Sequence, residues 1–332
     1  ITDSRGTLAA QIGHRMPADV RVARLTPTRA HRPQLVAADD RTRGEGLTLW
    51  NGVGGFSADG REYVIAPAAG ASTPAPWVNV LANPLFGSVV SESGLGYTWS
   101  DNAHLFRLTP WHNDPVGEAS GEAIYIRDEE TGFFWSPTSS LGVGGGRYVT
   151  RHGFGYTVFE HVEDGIRSRL TVFVALDAAV KFFSLQLTNE SGRARRLSVT
   201  GYVEWVLGDV RAKSAMHVTT EIHGRNGALY ARNPYNSEFS EWVAFFAVDD
   251  ASRTVSGDRA EFLGRNGTLS DPAAMHRTRL SGKAGAGLDP CAAIQVAFDL
   301  ADDQQRETVF RLGAAPNADL ADELVHRFRG SA

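Results

Sequence analysis

Residues 96 to 115 read GYTWSDNAHLFRLTPWHNDP, a stretch that concentrates groups able to recognise a ligand with apolar faces and polar edges. Trp99 and Trp111 offer flat rings on which the C–H faces of a sugar can stack. Asp101, Asn102, Arg107, Asn113 and Asp114 offer donors and acceptors to its hydroxyls. Pro110 and Pro115 fix the backbone and reduce the entropy lost on binding. Trp111 is the preferred platform, because Pro110 holds it and Asn113 and Asp114 stand close by. Trp99 is the alternative, since Tyr97 and Trp99 share a face if that segment is a strand. The same residue types also anchor interfaces. The stretch therefore reads either as a loop projecting from its domain toward a saccharide, or as a surface packed against another module.

Similar combinations of aromatic and amide groups recur at 74–84 (PAPWVNVLANP), 125–137 (YIRDEETGFFWSP) and 231–236 (ARNPYN). One such cluster alone reads as a loop pinned by a buried Trp and by Asn or Asp bonds to the backbone. Their recurrence in one chain favours recognition. The standard catalytic constellations are absent: there is no GxSxG, HExxH, CxxC or Walker loop, and GVGGG at 142–146 runs into Arg147 and Tyr148 rather than Lys and Ser/Thr. His104, His112, His152 and His161 lack metal-ligand spacing and read as imidazoles satisfied by polar neighbours. The acidic pairs Glu129/Glu130 and Asp302/Asp303 fall in turn-like, solvated contexts, which do not raise a carboxyl into the range of a general acid. No catalytic residue, metal site or cofactor is expected.

The elements that must position these groups are strands. GIRSRLTVFVAL (165–176), VKFFSLQLTN (180–189) and RRLSVTGYVEWVL (195–207) alternate apolar and polar residues and predict a three-stranded antiparallel meander. Further strands are expected at 61–66, 122–128, 155–162, 242–248, 293–300 and 307–313. With 35 glycines and 14 prolines for turns, and almost no helical periodicity, the pattern predicts an all-β, large antiparallel sandwich. The exception is NADLADELVHRFRG near the end. Asn317 suits an N-cap, and Leu320, Leu324, Val325 and Phe328 form an apolar stripe that must pack on the β domain or on something beyond it.

Composition excludes several partner classes. Thirty-three basic against 38 acidic residues, a formal charge of −5 and no block of like charge argue against nucleic acid and anionic membrane. No apolar run reaches the ~18 residues of a membrane helix, and the first twenty residues show no basic-then-apolar pattern. The single Cys291 fits a reducing, cytoplasmic setting, where it should be a buried free thiol.

The stretches WNGVGGFSADGREYVI (50–65), TPAPWVNVLANPLFG (73–87), SESGLGYTWSDN (91–102), LTPWHNDPV (108–116), GEAIYIRDEETGFFWSPT (121–138), RHGFGYTVFEH (151–161), YVEWVLG (202–208), GALYARNPYN (227–236), DRAEFLGRNGTL (258–269) and GAGLDPCAA (285–293) run in order along the chain. Together they resemble glycoside hydrolase family 94, formerly glycosyltransferase family 36, and most of all the phosphorylase-like region of cyclic β-1,2-glucan synthases. The resemblance implies a galactose-mutarotase-like β-supersandwich at 47–314, preceded by an extended lead-in at 1–46. Residues 315–332 would begin a helical linker to an (α/α)6 barrel that carries the catalytic aspartate and the phosphate-binding residues. It implies a non-catalytic, carbohydrate-binding module that helps shape the site for a β-glucan or glucooligosaccharide. Alternatives are a structural or dimerisation domain and a free-standing carbohydrate-binding module. Inorganic phosphate would serve only a phosphorylase parent, a homodimer could share a cleft, and a membrane-anchored synthase would hold the module at the cytoplasmic face of the inner membrane. Where the family has Asn-Ser-Arg-Glu before LTPW, this chain has Asn102, Ala103, His104 and Leu105, a departure that marks altered specificity or a lost activity.

Overall fold

The computed structural model describes residues 20–32, 44–112, 120–142 and 144–330. The strands among them form three antiparallel sheets. The largest runs in the order β1 (Gly54–Phe56), β2 (Glu62–Ile65), β8 (Tyr148–Gly153), β9 (Tyr156–Glu163), β10 (Ile166–Val174), β11 (Val180–Asn189), β18 (Gln305–Ala315), β15 (Val243–Val248), β14 (Leu229–Arg232) and β13 (Thr219–Ile222). The second comprises β16 (Thr254–Asp258), β17 (Pro290–Leu300), β12 (Arg195–Glu204), β6 (Glu122–Asp128) and β7 (Phe134–Trp135). The third comprises β3 (Val78–Asn83), β4 (Phe86–Ser91) and β5 (Gly96–Ser100). The helices α1 (Arg211–Ser214), α2 (Arg259–Leu263) and α3 (Ala318–Arg327) are short, as the all-β reading requires. No helix of the described residues is long and apolar enough to cross a membrane.

Period-two alternation builds the core. Leu170 and Val172 of β10, Phe183, Leu185 and Leu187 of β11, and Phe310 and Leu312 of β18 meet Leu197, Val199 and Val203 of β12 and Ile294 and Val296 of β17. Fully burying each such side chain contributes about 1.5–3 kcal/mol. The expected meander breaks after β11. That strand pairs with β18, whereas β12 crosses to the second sheet and lies between β17 and β6. Burial on both faces explains the crossing. The other side of β12, with Tyr202, packs under Phe262 and Leu263 of α2 and Met275 of the turn that follows. In the same layer Cys291 is a buried free thiol, and burial pushes its titration up.

The terminal stripe packs on its own domain. Ala321 and Val325 of α3 cover Val180, Phe182, Tyr230 and Phe245 on the outer face of the large sheet, and Phe328 meets Phe182 edge-on at 5.2 Å. Asn317 caps the helix through a 2.9 Å bond from Leu320 N. Lead-in residues 20–32 lie along the domain, where Leu25 N donates to His276 O and His31 stacks on Phe133 at 3.8 Å. Glu129 is not solvated as expected: it accepts from the buried Arg127, whose guanidinium also donates to Met275 O and Arg277 O.

The three sheets meet at a buried ion pair. Lys181 of β11 and Glu122 of β6, at 1% and 4% side-chain exposure, lie 2.6 Å apart. Lys181 Nζ also donates to Ser88 Oγ at 2.8 Å, and Glu122 accepts from Thr98 at 2.6 Å and Thr109 at 2.8 Å. Burial pushes the Lys181 ammonium down, and Glu122 opposes that shift only in part. Removing one ion should leave the other unpaired. Glu122→Gln is expected to lower unfolding free energy by about 3–5 kcal/mol in urea titrations, and Glu122→Leu with Lys181→Met to recover part of that loss. Equal midpoints for wild type and Glu122→Gln would contradict this role.

Candidate functional site

The opening stretch begins as a strand, not as a projecting loop. Residues 96–100 are β5, paired with β4, and an exposed turn at 101–104 follows, with Phe106 already back in the core. Inward alternation gives Thr98 to the ion-pair network and turns Tyr97 and Trp99 to the outer face. There Trp99 lies across Gly87, its partner on β4; a Cβ built on Gly87 would sit 2.1 Å from the indole. One face of Trp99 therefore rests on backbone, and its accessible surface is the opposite face and edge. Tyr97 lies 5.3 Å from Trp99 and stacks on Trp111 at 5.0 Å and 7°. Burial pushes the Tyr97 hydroxyl up, with the nearby Arg107 opposing it. Trp111 is 46% exposed, but one face is taken by Tyr97, and the Arg107 guanidinium lies 5.3 Å from its ring centre.

Most of the polar candidates hold the turn. Asn102 Oδ1 accepts from His104 N and Leu105 N, each at 2.9 Å. Arg107 donates from Nε to Ala103 O at 3.1 Å and from a terminal nitrogen to Asp209 O at 2.8 Å, while its backbone bridges Trp99 and Gly208. Asp101 sits at φ 60° with its N–H donating to Leu85 O, and its carboxylate is exposed with no partner among the described residues. His104 is exposed beside Arg107 at 3.4 Å. Asn113 and Asp114 lie outside the described residues.

The other aromatic clusters divide. Tyr125 and Trp135 are core residues, and Trp77 is held at the rim by Glu92, which accepts from Trp77 N at 2.8 Å. Tyr235 is different. It is 76% exposed and stacks on His217 at 4.2 Å. Its neighbour Asn236 donates to Leu105 O at 3.3 Å, which ties this segment to the turn beside Trp111. Nothing in the sequence singles out Tyr235 within 231–236, because the link to Leu105 spans 131 positions.

A cleft of 790 Å³ opens between residues 67–76 and the glycine-rich segment, with Glu92, Ser93, Ser140 and Tyr148 on its walls. An anion is disfavoured there. Gly145 N–H is taken by the Glu163 carboxylate at 2.5 Å, and Glu92 is engaged by Thr73 as well as Trp77. Burial would raise Glu163, but His161 at 3.4 Å and the Gly145 N–H outweigh it and hold the carboxyl low. Asp128 behaves alike: burial is outweighed by the Thr131 N–H, Arg195 and the Glu130 N–H. Asp209 is held low by Lys213. A general acid working near neutrality needs the opposite shift.

Comparison with known proteins bears on this arrangement. A family described as "Glycosyl hydrolase 94, supersandwich domain" matches residues 61–331. The cyclic beta-(1,2)-glucan synthase NdvB of Rhizobium meliloti (strain 1021) is 37% identical over 303 residues, covering 90% of this chain and 11% of that protein. An N,N'-diacetylchitobiose phosphorylase of Vibrio furnissii is 29% identical over 262 residues, covering 74% of this chain and 31% of the phosphorylase. Among solved structures, a GalM/aldose epimerase homologue from C. elegans aligns over 74% of this chain and 100% of its own at 9% identity, with a TM-score of 0.44.

The contact between Gly87 and Trp99 can be tested directly. Gly87→Ala should lift the indole off the sheet, changing near-ultraviolet dichroism and tryptophan emission, with an overpacking cost of about 1–3 kcal/mol. Unchanged spectra with unchanged stability would mean that Trp99 does not rest there.

Proposed function

Because the chain belongs to the glycosyl hydrolase 94 supersandwich family, we propose that it is the non-catalytic module of a glycoside phosphorylase or cyclic β-1,2-glucan synthase, and that its aromatic shelf contacts a β-glucan or glucooligosaccharide. The chain spans 11% of the matched synthase and 31% of the matched phosphorylase, so the chemistry belongs to a larger protein. In this reading the rest of the enzyme is an (α/α)6 barrel that holds the acid and any phosphate, and the module shapes the saccharide site beside it. A homodimer would bring the same shelf to a second cleft. Cys291, a lone buried thiol, suits a cytoplasmic enzyme, at the inner face of the membrane if the parent is anchored there.

The observation that carries the reading is the seating of Trp99. An indole laid flat on a glycine, flanked by Tyr97 and Trp111 on the outer face of a small sheet, presents a ring at little conformational cost. Trp99 takes the place of Trp111 as platform, and Trp111 becomes its wall. A second reading has its own support. Val78 and Val80 of β3 are exposed on the same outer face, which suits packing against another module.

Two outcomes test the proposal. In affinity electrophoresis through a soluble β-1,2-glucan, the wild-type chain should be retarded. Trp99→Ala should weaken binding by roughly two- to tenfold. A Trp99→Ala variant that migrates as wild type would favour the interface. Incubated with β-1,2-glucooligosaccharides and phosphate, the chain alone should release no glucose 1-phosphate; its appearance above background would overturn the non-catalytic assignment.

A further inference from the structure

Tyr235 lies on a different segment from the shelf, yet contacts close a ring around the turn between them. Arg107 reaches Asp209 O at 2.8 Å, and Asp209 pairs with Lys213 at 2.7 Å. His217 N donates to Ser214 O at 2.9 Å at the end of α1, and the His217 ring backs Tyr235 at 4.2 Å and 20°. Asn236 returns to Leu105 O at 3.3 Å, two residues before Arg107. Two residues of extended chain span at most ~7 Å, so the Asn236 anchor of the Tyr235 turn lies close to the backbone of Arg107, whose guanidinium lies over Trp111.

The local build fixes Tyr235 in place. Asn233 Oδ1 accepts from Tyr235 N at 3.1 Å, Pro234 sets the preceding backbone, and Asn236 Oδ1 accepts from Glu238 N and Phe239 N at 3.2 Å each. The phenol is backed on one face by imidazole and is 76% exposed. This is a second ring held ready on a rigid turn. The intervening charges are mixed, with Arg107 and Lys213 opposed by Asp209, and two of the five donors of Arg107 are taken by carbonyls. Such ground suits a neutral polyhydroxyl chain better than an anionic one.

We propose that Tyr235, backed by His217, is a second stacking contact for the saccharide that meets Trp99, so that the ligand is an oligosaccharide long enough to cross the 102–107 turn. This inference rests on the saccharide reading of the Trp99 shelf.

The test separates the two claims. A β-1,2-linked glucose disaccharide and a longer β-1,2-glucooligosaccharide are titrated into the wild-type chain, Trp99→Ala, Tyr235→Ala and Tyr235→Phe. Trp99→Ala should weaken both ligands. Tyr235→Ala should weaken only the longer one, by roughly two- to tenfold, and Tyr235→Phe should retain its affinity because the ring is kept. Because Tyr235 is so exposed, the melting temperature should not move. If Tyr235→Ala leaves the longer ligand unaffected while Trp99→Ala weakens it, the second contact is wrong and the shelf reading stands. Equal weakening of both ligands by Tyr235→Ala would likewise remove its role as a distal contact. Failure of the wild-type chain to bind either sugar would overturn both claims.

Discussion

Lys181 and Glu122 each end a row of core-facing residues: Lys181 precedes Phe183, Leu185 and Leu187 on β11, and Glu122 precedes Ile124 and Ile126 on β6. Alternation therefore forces both ions inward, and each alone would face a desolvation penalty of several kcal/mol. The surroundings give every polar atom of the pair a partner, although burial still outweighs them at Lys181. An ammonium has three donors, and those of Lys181 find Glu122, Ser88 and Thr98. Glu122 in turn accepts from Thr98 and Thr109. Strands from all three sheets, and the segment just before Trp111, thus converge on one closed network. Buried pairs of this kind contribute more to register than to net stability.

Register is what the shelf requires. With Thr98 committed to Glu122, period two leaves Tyr97 and Trp99 no choice but the outer face. A slip of one residue would turn both rings toward the ion pair and the threonine outward. The β3–β4 hairpin is fixed independently. Asn79 donates to Gly153 O and Tyr156 O, and Asn83 to Ala175 O and Ala178 O, so its inner amides dock onto turns of the large sheet. Gly87 is thereby held opposite Trp99. Similar polar joints hold the outer covers: Arg127 grips the carbonyls behind the turn over the second sheet, and Arg311, paired with Asp249, donates to Val325 O of α3.

The long strands were legible because their apolar positions alternate over eight or more residues, as in Ile166–Val174 and Val180–Asn189. The third sheet was not. VNVLAN turns its asparagines inward and its valines outward, the reverse of the usual pattern, because those amides satisfy carbonyls of other strands. The crossing of β12 was equally hidden, since its alternation turns Leu197, Val199 and Val203 to the core but does not say which sheet the strand joins. At the candidate site the roles of the residues were not readable. Whether an asparagine meets a ligand or its own backbone depends on turn geometry, and Asn102 serves His104 and Leu105.

The departure at 102–105 can now be divided. Leu105, which stands where the resembled family has glutamate, turns inward and packs against the central core, so it cannot meet a ligand there. That substitution exchanges a charge for packing under the turn. His104 instead stays exposed, 3.4 Å from the Arg107 guanidinium that lies by Trp111. Stacked rings recognise an apolar face but do not distinguish hydroxyl patterns; that requires polar groups beside them. With Asn102 committed to its turn, Asp101 and His104 are its exposed polar side chains, beside an Arg107 that gives two of its five donors to carbonyls. If the shelf meets a saccharide as proposed, change at position 104 would alter which sugar is read, whereas change at 105 would alter how firmly the turn is held.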